Sequence, residues 1–188
     1  MQRRTFTTTG MRAALGLALA AAAWRAAAQS PARILVGFAP GGSVDALARM
    51  TAEHLQTATQ QTVIVENRTG AAGRLAIDQV KAAAPDGQTL VLVPQGPMTL
   101  FTHVFRNLRF DPTKDFVPVS RIASGDFALT VGPMVPAKDF AGFRAWLKTA
   151  GDNASYGSPG AGTLPHFVGL SVARALGTPM THVPYKGS

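Results

Sequence analysis

Beyond its first thirty positions the chain alternates short apolar runs with stretches whose apolar residues recur every three or four positions. The runs at 34–38, 63–66 and 90–93 are rich in Val, Ile and Leu, as expected of strands buried on both faces. Between them, 44–57 places Val44, Leu47, Ala48 and Leu55 on one helix face, and 74–84 is a second helical stretch. Pro85-Asp86-Gly87 closes it, because Pro cannot continue a helix and Gly accepts positive φ. Strand, helix, strand, helix, strand predicts half of a doubly wound lobe on a largely parallel sheet.

The stretch 96–116 is less regular, and Asp111-Pro112-Thr113-Lys114-Asp115-Phe116 breaks any element there. A lobe boundary is expected nearby, dividing the chain into 29–118 and 119–188. The pattern then predicts strands at 117–122, 127–131, 155–157 and 181–183, with helices at 140–149 and 166–176. Phe140, Phe143 and Trp146 form an apolar stripe expected in the core, as are Phe101, Phe105, Phe110 and Phe116. The chain ends directly after a predicted strand, so the second unit is expected to be partial.

The first thirty residues have a different character. Arg3, Arg4 and Arg12 precede an unbroken run of apolar and small residues at 13–24, followed by Ala26-Ala27-Ala28. That run falls short of the roughly 20 residues needed to cross a bilayer core, so 1–28 reads as a cleaved signal peptide. Arg3-Arg4-Thr5-Phe6 has the spacing of a twin-arginine signal, although paired arginines also occur in ordinary Sec leaders. Either route places the mature protein in the periplasm. The leader holds four of the 18 basic residues and none of the 10 acids, which lowers the net charge from +8 to 14 basic against 10 acidic, or +4. The remaining charges are scattered, which argues against nucleic acid as a partner. There are no cysteines, hence neither disulfides nor thiolate metal sites.

The most informative segment is Phe38-Ala39-Pro40-Gly41-Gly42-Ser43-Val44-Asp45, a strand passing through a glycine pair and a serine N-cap into a helix. Such a loop aims backbone N–H groups, a helix dipole and a hydroxyl at one spot, which suits a carboxylate or phosphate. The alternative is a tight strand-to-helix turn and nothing more. The arrangement recurs as Tyr156-Gly157-Ser158-Pro159-Gly160-Ala161-Gly162-Thr163, with Thr163 at the N-cap and Pro165 in the permissive first turn. Two such loops facing each other across a cleft would hold a small anion from both sides. A third loop, 67–73, contains Arg68, which either reaches a ligand carboxylate or serves the turn.

Enzyme templates do not fit. Ser43 lies in Gly41-Gly42-Ser43-Val44-Asp45, and Ser158 has Tyr156 where a nucleophile elbow needs glycine. Neither a dinucleotide fingerprint nor a Gly-Lys-Ser/Thr phosphate loop occurs. His54, His103, His166 and His182 lack metal-ligand spacing, and no carboxylate pair suggests an acid–base couple. His54 reads as solvated, while His166 follows the second glycine loop closely enough to meet a ligand.

These motifs together carry a resemblance. Phe38-Ala39-Pro40-Gly41-Gly42-Ser43 with Asp45, Val65-Glu66-Asn67-Arg68 with Gly70 and Gly73, Ala84-Pro85-Asp86-Gly87, Asp111-Pro112 with Lys114-Asp115-Phe116, the second glycine loop and His182-Val183-Pro184-Tyr185-Lys186-Gly187 occur in that order. In this the chain resembles the Bug family, the extracytoplasmic solute receptors of tripartite tricarboxylate transporters. The resemblance implies a two-lobed, Venus-flytrap periplasmic-binding-protein fold, incomplete here at its C-terminal end. It implies a non-catalytic, cofactor-free monomer that captures a small carboxylate for membrane permease subunits. By motif, Pro40, Gly41, Gly42, Ser43 and Asp45 would line the first lobe, and Ser158, Gly160, Gly162, Thr163 and His166 the second. Asp45 would meet a ligand amino group or cap a turn. The segment 94–99 departs from the Ser/Thr-rich loop usual there, and Met98 would make that part of the pocket more apolar. Alternative readings are a truncated fragment without transport function, a receptor signalling to a membrane sensor, and a hydrolase using Ser43 or Ser158.

Overall fold

A computed structural model describes residues 30–187; the leader expected at 1–28 lies outside the described residues. The first unit is a parallel sheet of three strands, β1 (Ala32–Val36), β2 (Val63–Asn67) and β3 (Thr89–Leu92), in the order β2-β1-β3. The register pairs Ile34 with Val65 on one side and with Leu90 on the other. As the middle strand, β1 has Ile34, Leu35 and Val36 essentially without solvent contact, which is why its apolar run is continuous.

Helix α1 (Ser43–Thr59) connects β1 to β2 and lays Ala48 and Ala52 against Ile34, Val36 and Phe38. Its buried apolar residues are both alanines, with Val44 and Leu55 packed at the margin, so the helix seats close to the sheet. Helix α2 (Arg74–Lys81) connects β2 to β3, and its Ile77 packs with Phe101 and Phe110 beneath Val91 and Val93. Two short helices follow, α3 (Gln95–Thr99) and α4 (Phe101–Val104), in a stretch whose sequence predicts no regular element. Met98 packs against the Ile77 cluster.

The Asp111–Phe116 motif forms a clasp. Asp115 accepts the Asp111 N–H at 2.7 Å and pairs with Lys81 Nζ at 2.8 Å, while Phe110 and Phe116 meet edge to face. The Thr113 hydroxyl and amide hold the Asp111 carboxyl down at about 2, and Lys81 lowers that of Asp115.

The strands expected at 117–122 and 127–131 are absent. Val117 is 87% exposed and Val119 81%. Alternating apolar residues favour an extended backbone, but a strand exists only where its N–H and C=O groups meet a neighbour, and no described segment runs beside these.

Helix α5 (Phe140–Ala150) opens the second unit, its first turn capped by the Asp139 side chain, which accepts the Gly142 N–H at 2.7 Å. It is followed by β4 (Ser155–Ser158), α6 (Leu164–Leu176) and β5 (Thr181–Pro184). Strands β4 and β5 pair in parallel, with Tyr156 opposite His182. Phe143 and Leu147 form the core here with Trp146 beside them, but Phe140 is largely exposed, at the margin of its stripe. No described helix is long and apolar enough to cross a membrane.

Candidate functional site

The order β2-β1-β3 makes β1 a switch point: the chain leaves it toward one neighbour and later re-enters the sheet on its other side. In such sheets the crevice outside the C-terminal strand ends is where ligands sit. The loop 37–42 leaves β1 at that place. Its entry is tight, since a Cβ on Gly37 would lie 2.4 Å from Gly73 Cα, so the backbones after β1 and β2 are in direct contact. Gly41 takes φ 87°, open to glycine and strained for other residues.

Gly42 occupies the N-cap of α1 and Ser43 the first helical position, so the helix begins one place earlier than the sequence suggests. Asp45 is turned inward, 3% exposed. Its Oδ2 accepts the Gly41 N–H and Arg49 Nε, both at 2.9 Å; Oδ1 accepts Asn67 Nδ2 at 2.9 Å and Arg49 Nη2 at 3.0 Å. Asn67 Nδ2 also reaches the Phe38 carbonyl at 3.1 Å. Arg49, and then the Gly41 amide and Asn67, hold the Asp45 carboxyl well below the usual carboxylate range. Asp45 therefore fastens the loop to β2, the turn-capping role, and its oxygens are not offered to a ligand. Asn67 is essential to this arrangement, yet in the sequence it stands out only as part of a motif. Pro40, Gly41 and Ser43 face outward. Arg68 pairs with Glu66 at 2.8 Å, the structural alternative for that residue.

In the second unit Ser158 is buried at the end of β4. Its Oγ accepts the Gly160 N–H at 3.2 Å, lies 3.0 Å from the Gly160 carbonyl and is 2.7 Å from His182 Nε2. Thr163 is the N-cap of α6, but its hydroxyl donates to the Gly160 carbonyl at 2.6 Å rather than capping the helix. His166 Nδ1 accepts the Gly162 N–H at 3.1 Å, which leaves the proton of the neutral ring on Nε2. The rings of His166 and His182 stack 3.9 Å apart, and the Tyr156 hydroxyl donates to the His166 carbonyl at 3.0 Å. Burial, and next the neighbouring His166, push the pKa of His182 down, while burial pushes that of Tyr156 up. Gly160, Gly162 and Thr163 are also buried and His166 is half-buried. This loop is thus a compact, internally bonded shelf.

The shelf faces the first unit. A Cβ on Gly160 would come within 3.1 Å of the Ala72 Cβ, and one on Gly162 within 2.7 Å of Phe105 Cζ. The chain after β5 closes the other side, where the Ala39 N–H donates to the Lys186 carbonyl at 3.2 Å and Gly187 lies against Phe38. The loops after β1, β2, β4 and β5 thus meet at one place. Ala71 and Ala72, at φ 49° and 56°, sit there in the left-handed region, disfavoured for residues with a Cβ. Among the described residues no group of three or more His, Cys, Asp or Glu lies together as a metal site would require.

A cavity of about 430 Å³ lies at the opposite edge of the first sheet, lined by Arg33, Asp86, Gln88 and Thr89 among others. Helix C-termini gather at that edge, and their partial negative charge disfavours an anion.

Residues 47–188 match the tripartite tricarboxylate transporter family receptor. A UPF0065 protein from the gbd 5′ region of Cupriavidus necator is 34% identical over 194 residues, covering 100% of this chain and 59% of that protein. Three solved structures each align with 84% of the chain. MatC from Rhodopseudomonas palustris with bound malate is 30% identical with TM-score 0.71, over 53% of that chain. R. palustris Rpa4515 with adipate is 29% identical with TM-score 0.80, over 52%. The periplasmic binding protein BugD is 30% identical with TM-score 0.70, over 52%. The chain spans somewhat more than half the length of these relatives. It belongs to the tripartite tricarboxylate transporter receptor family, the Bug proteins, which are solute-binding receptors rather than enzymes and share the two-lobed α/β periplasmic-binding-protein fold.

Proposed function

We propose that this chain contributes the capture site of a periplasmic receptor that binds a small carboxylate and hands it to the membrane permease subunits of a tripartite tricarboxylate-type transporter. The observation carrying this reading is that two glycine loops from separate sheets pack against the same 70–73 turn, Gly37 on Gly73 and Gly160 on Ala72, each opening a helix without a side-chain hydrogen bond at its N-cap. Two positive helix ends suit an anion held between them, while the Gly41, Gly160 and Gly162 amides shape the loops around it. In this reading Pro40, Gly41, Gly42 and Ser43 form one face, and Gly160, Gly162, Thr163 and His166 the other. Asp45 and Ser158 hold the two loops in shape. The relatives named with malate and adipate support a carboxylate as the class of ligand.

The test is thermal unfolding and calorimetric titration of the purified chain with malate, succinate, adipate, citrate and acetate, with glucose as the uncharged control. The expected result is stabilisation by one class of acid, about 2.7 kcal/mol at a hundredfold excess over Kd. A midpoint that no acid moves, with no heat of binding, overturns the reading.

A further inference from the structure

We propose that Arg74 is the specificity-determining side chain of this site, selecting ligands with a second, distal carboxylate over monocarboxylates; this rests on the carboxylate reading above. Arg33, Arg49, Arg68, Lys81 and Lys114 all pair with carboxylates. The remaining basic side chains are exposed, with one exception. Among the described residues, Arg74 alone is both partly buried and without a carboxylate in ion-pair range. A guanidinium held in place without a protein counter-charge is available to an anionic partner.

Its position matches the need. Arg74 Nε donates to the Ala71 carbonyl at 2.9 Å, and the guanidinium carbon lies 4.0 Å from the centre of the Phe105 ring. That fixes the plane of the group by stacking and one hydrogen bond. Neither terminal nitrogen has a protein acceptor among the described residues, so the edge of the fork suited to bidentate carboxylate binding is unused. The far edge of the same Phe105 ring meets Gly162, and Ala72, two residues before Arg74, meets Gly160. Arg74 therefore stands one ring's width from the second glycine loop, where the two units come together.

The backbone that delivers it is unusual. Gly70, Ala71, Ala72 and Gly73 have φ of 136°, 49°, 56° and 89°, four consecutive positive values that include two alanines. This sharp turn starts α2 immediately beside the cleft, with Arg74 as its first residue. The helix ends of α1 and α6 suit one carboxylate, and Arg74 supplies a separate, directional positive charge for another.

The test compares diacids with monoacids of matched length, adipate against hexanoate and succinate against butyrate, by titration calorimetry on the full chain. The proteins are wild type, Arg74→Gln and Arg74→Lys. Wild type should favour each diacid. Arg74→Gln should weaken diacid binding by roughly 10–100-fold, the range for a charge-assisted pair, and leave monoacid affinity within twofold. Arg74→Lys, which keeps the charge and loses the fork, should fall between. If wild type binds acids but Arg74→Gln leaves diacid affinity intact, the assignment of Arg74 is wrong while the receptor reading stands. Equal weakening of both acid types also overturns it, as does a drop in unfolding midpoint in both variants that accounts for the lost binding. If wild type binds none of the four acids, the carboxylate reading fails and this proposal with it.

Discussion

Ser158 Oγ lies 2.7 Å from His182 Nε2, so the hydroxyl that shapes the second glycine loop is tied to a ring on the neighbouring strand. His182 also stacks on His166, with Tyr156 against both rings and Phe167 beside His166. Among the described residues no ion pair brings a carboxylate to this group, so a positive charge on it has no counter-charge beside it.

The consequence is a pH dependence of defined sign. The pKa of His182 is lowered from its ordinary 6.5 by burial and by His166, so the unfolded chain takes up the proton first as pH falls. Its contribution to stability should be intact above about pH 6.5 and decline below it, toward the lowered value. His182→Gln, which can still bond Ser158, should flatten the fall in unfolding midpoint between pH 7.5 and pH 5. An identical slope in wild type and variant would remove His182 from the account.

Asp45→Ala should destabilise the chain by roughly 2–3 kcal/mol, because the Gly41 amide and Asn67 lose a buried acceptor. Arg49 should add little to that figure, since its side chain is more than half exposed. The native carboxyl is depressed, so its stabilisation is present above the ordinary 3.8 and is lost as pH falls below it. Urea unfolding at pH 7 and pH 3 checks both points, with a smaller difference between wild type and variant at pH 3.

Gly169 lies under the Tyr156 ring, and a Cβ there would sit 2.1 Å from Cε2. Gly169→Ala should lower stability by about 1–3 kcal/mol through overpacking. The same change introduced with Tyr156→Ala should cost much less, and the non-additivity in a double-mutant cycle is the measurement.

Ala71→Gly should raise stability by up to about 1 kcal/mol, since an exposed alanine at φ 49° carries a Cβ penalty that glycine lacks. Denaturant unfolding measures it; an unchanged or lower midpoint would show that the turn holds no such strain.

The first sheet was legible in the sequence because its middle strand is buried on both faces, its flanking strands are short Val- and Leu-rich runs, and its first helix has a clear stripe. The second glycine loop was legible as a motif, and Thr163 does stand at the helix N-cap. The segments 117–122 and 127–131 misled because alternation reports only that an extended backbone would be tolerated; pairing depends on a neighbour far away in the chain. Phe140 misled because three aromatic residues at a spacing of three drift around a helix, leaving the first at the margin. Asp45 and Arg74 show the deeper limit. One is an acid whose role is set by an asparagine 22 positions later, and the other a base whose distinction is the carboxylate it lacks. Both are relations in space between residues of ordinary kinds.

The contact between Gly37 and Gly73 constrains how such a receptor can move. With no side chain between the two backbones, the loops after β1 and β2 cannot slide or part without opening a gap in the floor of the first unit. They act as a fixed anvil. Among the described residues, contacts to the other unit include a hydrogen bond from Ala39 to Lys186 and van der Waals touches at Ala72, Gly96, Val104, Phe105 and Phe38. In a receptor that closes on its ligand as proposed, the first unit is expected to keep its shape while the β4–β5 unit moves against it.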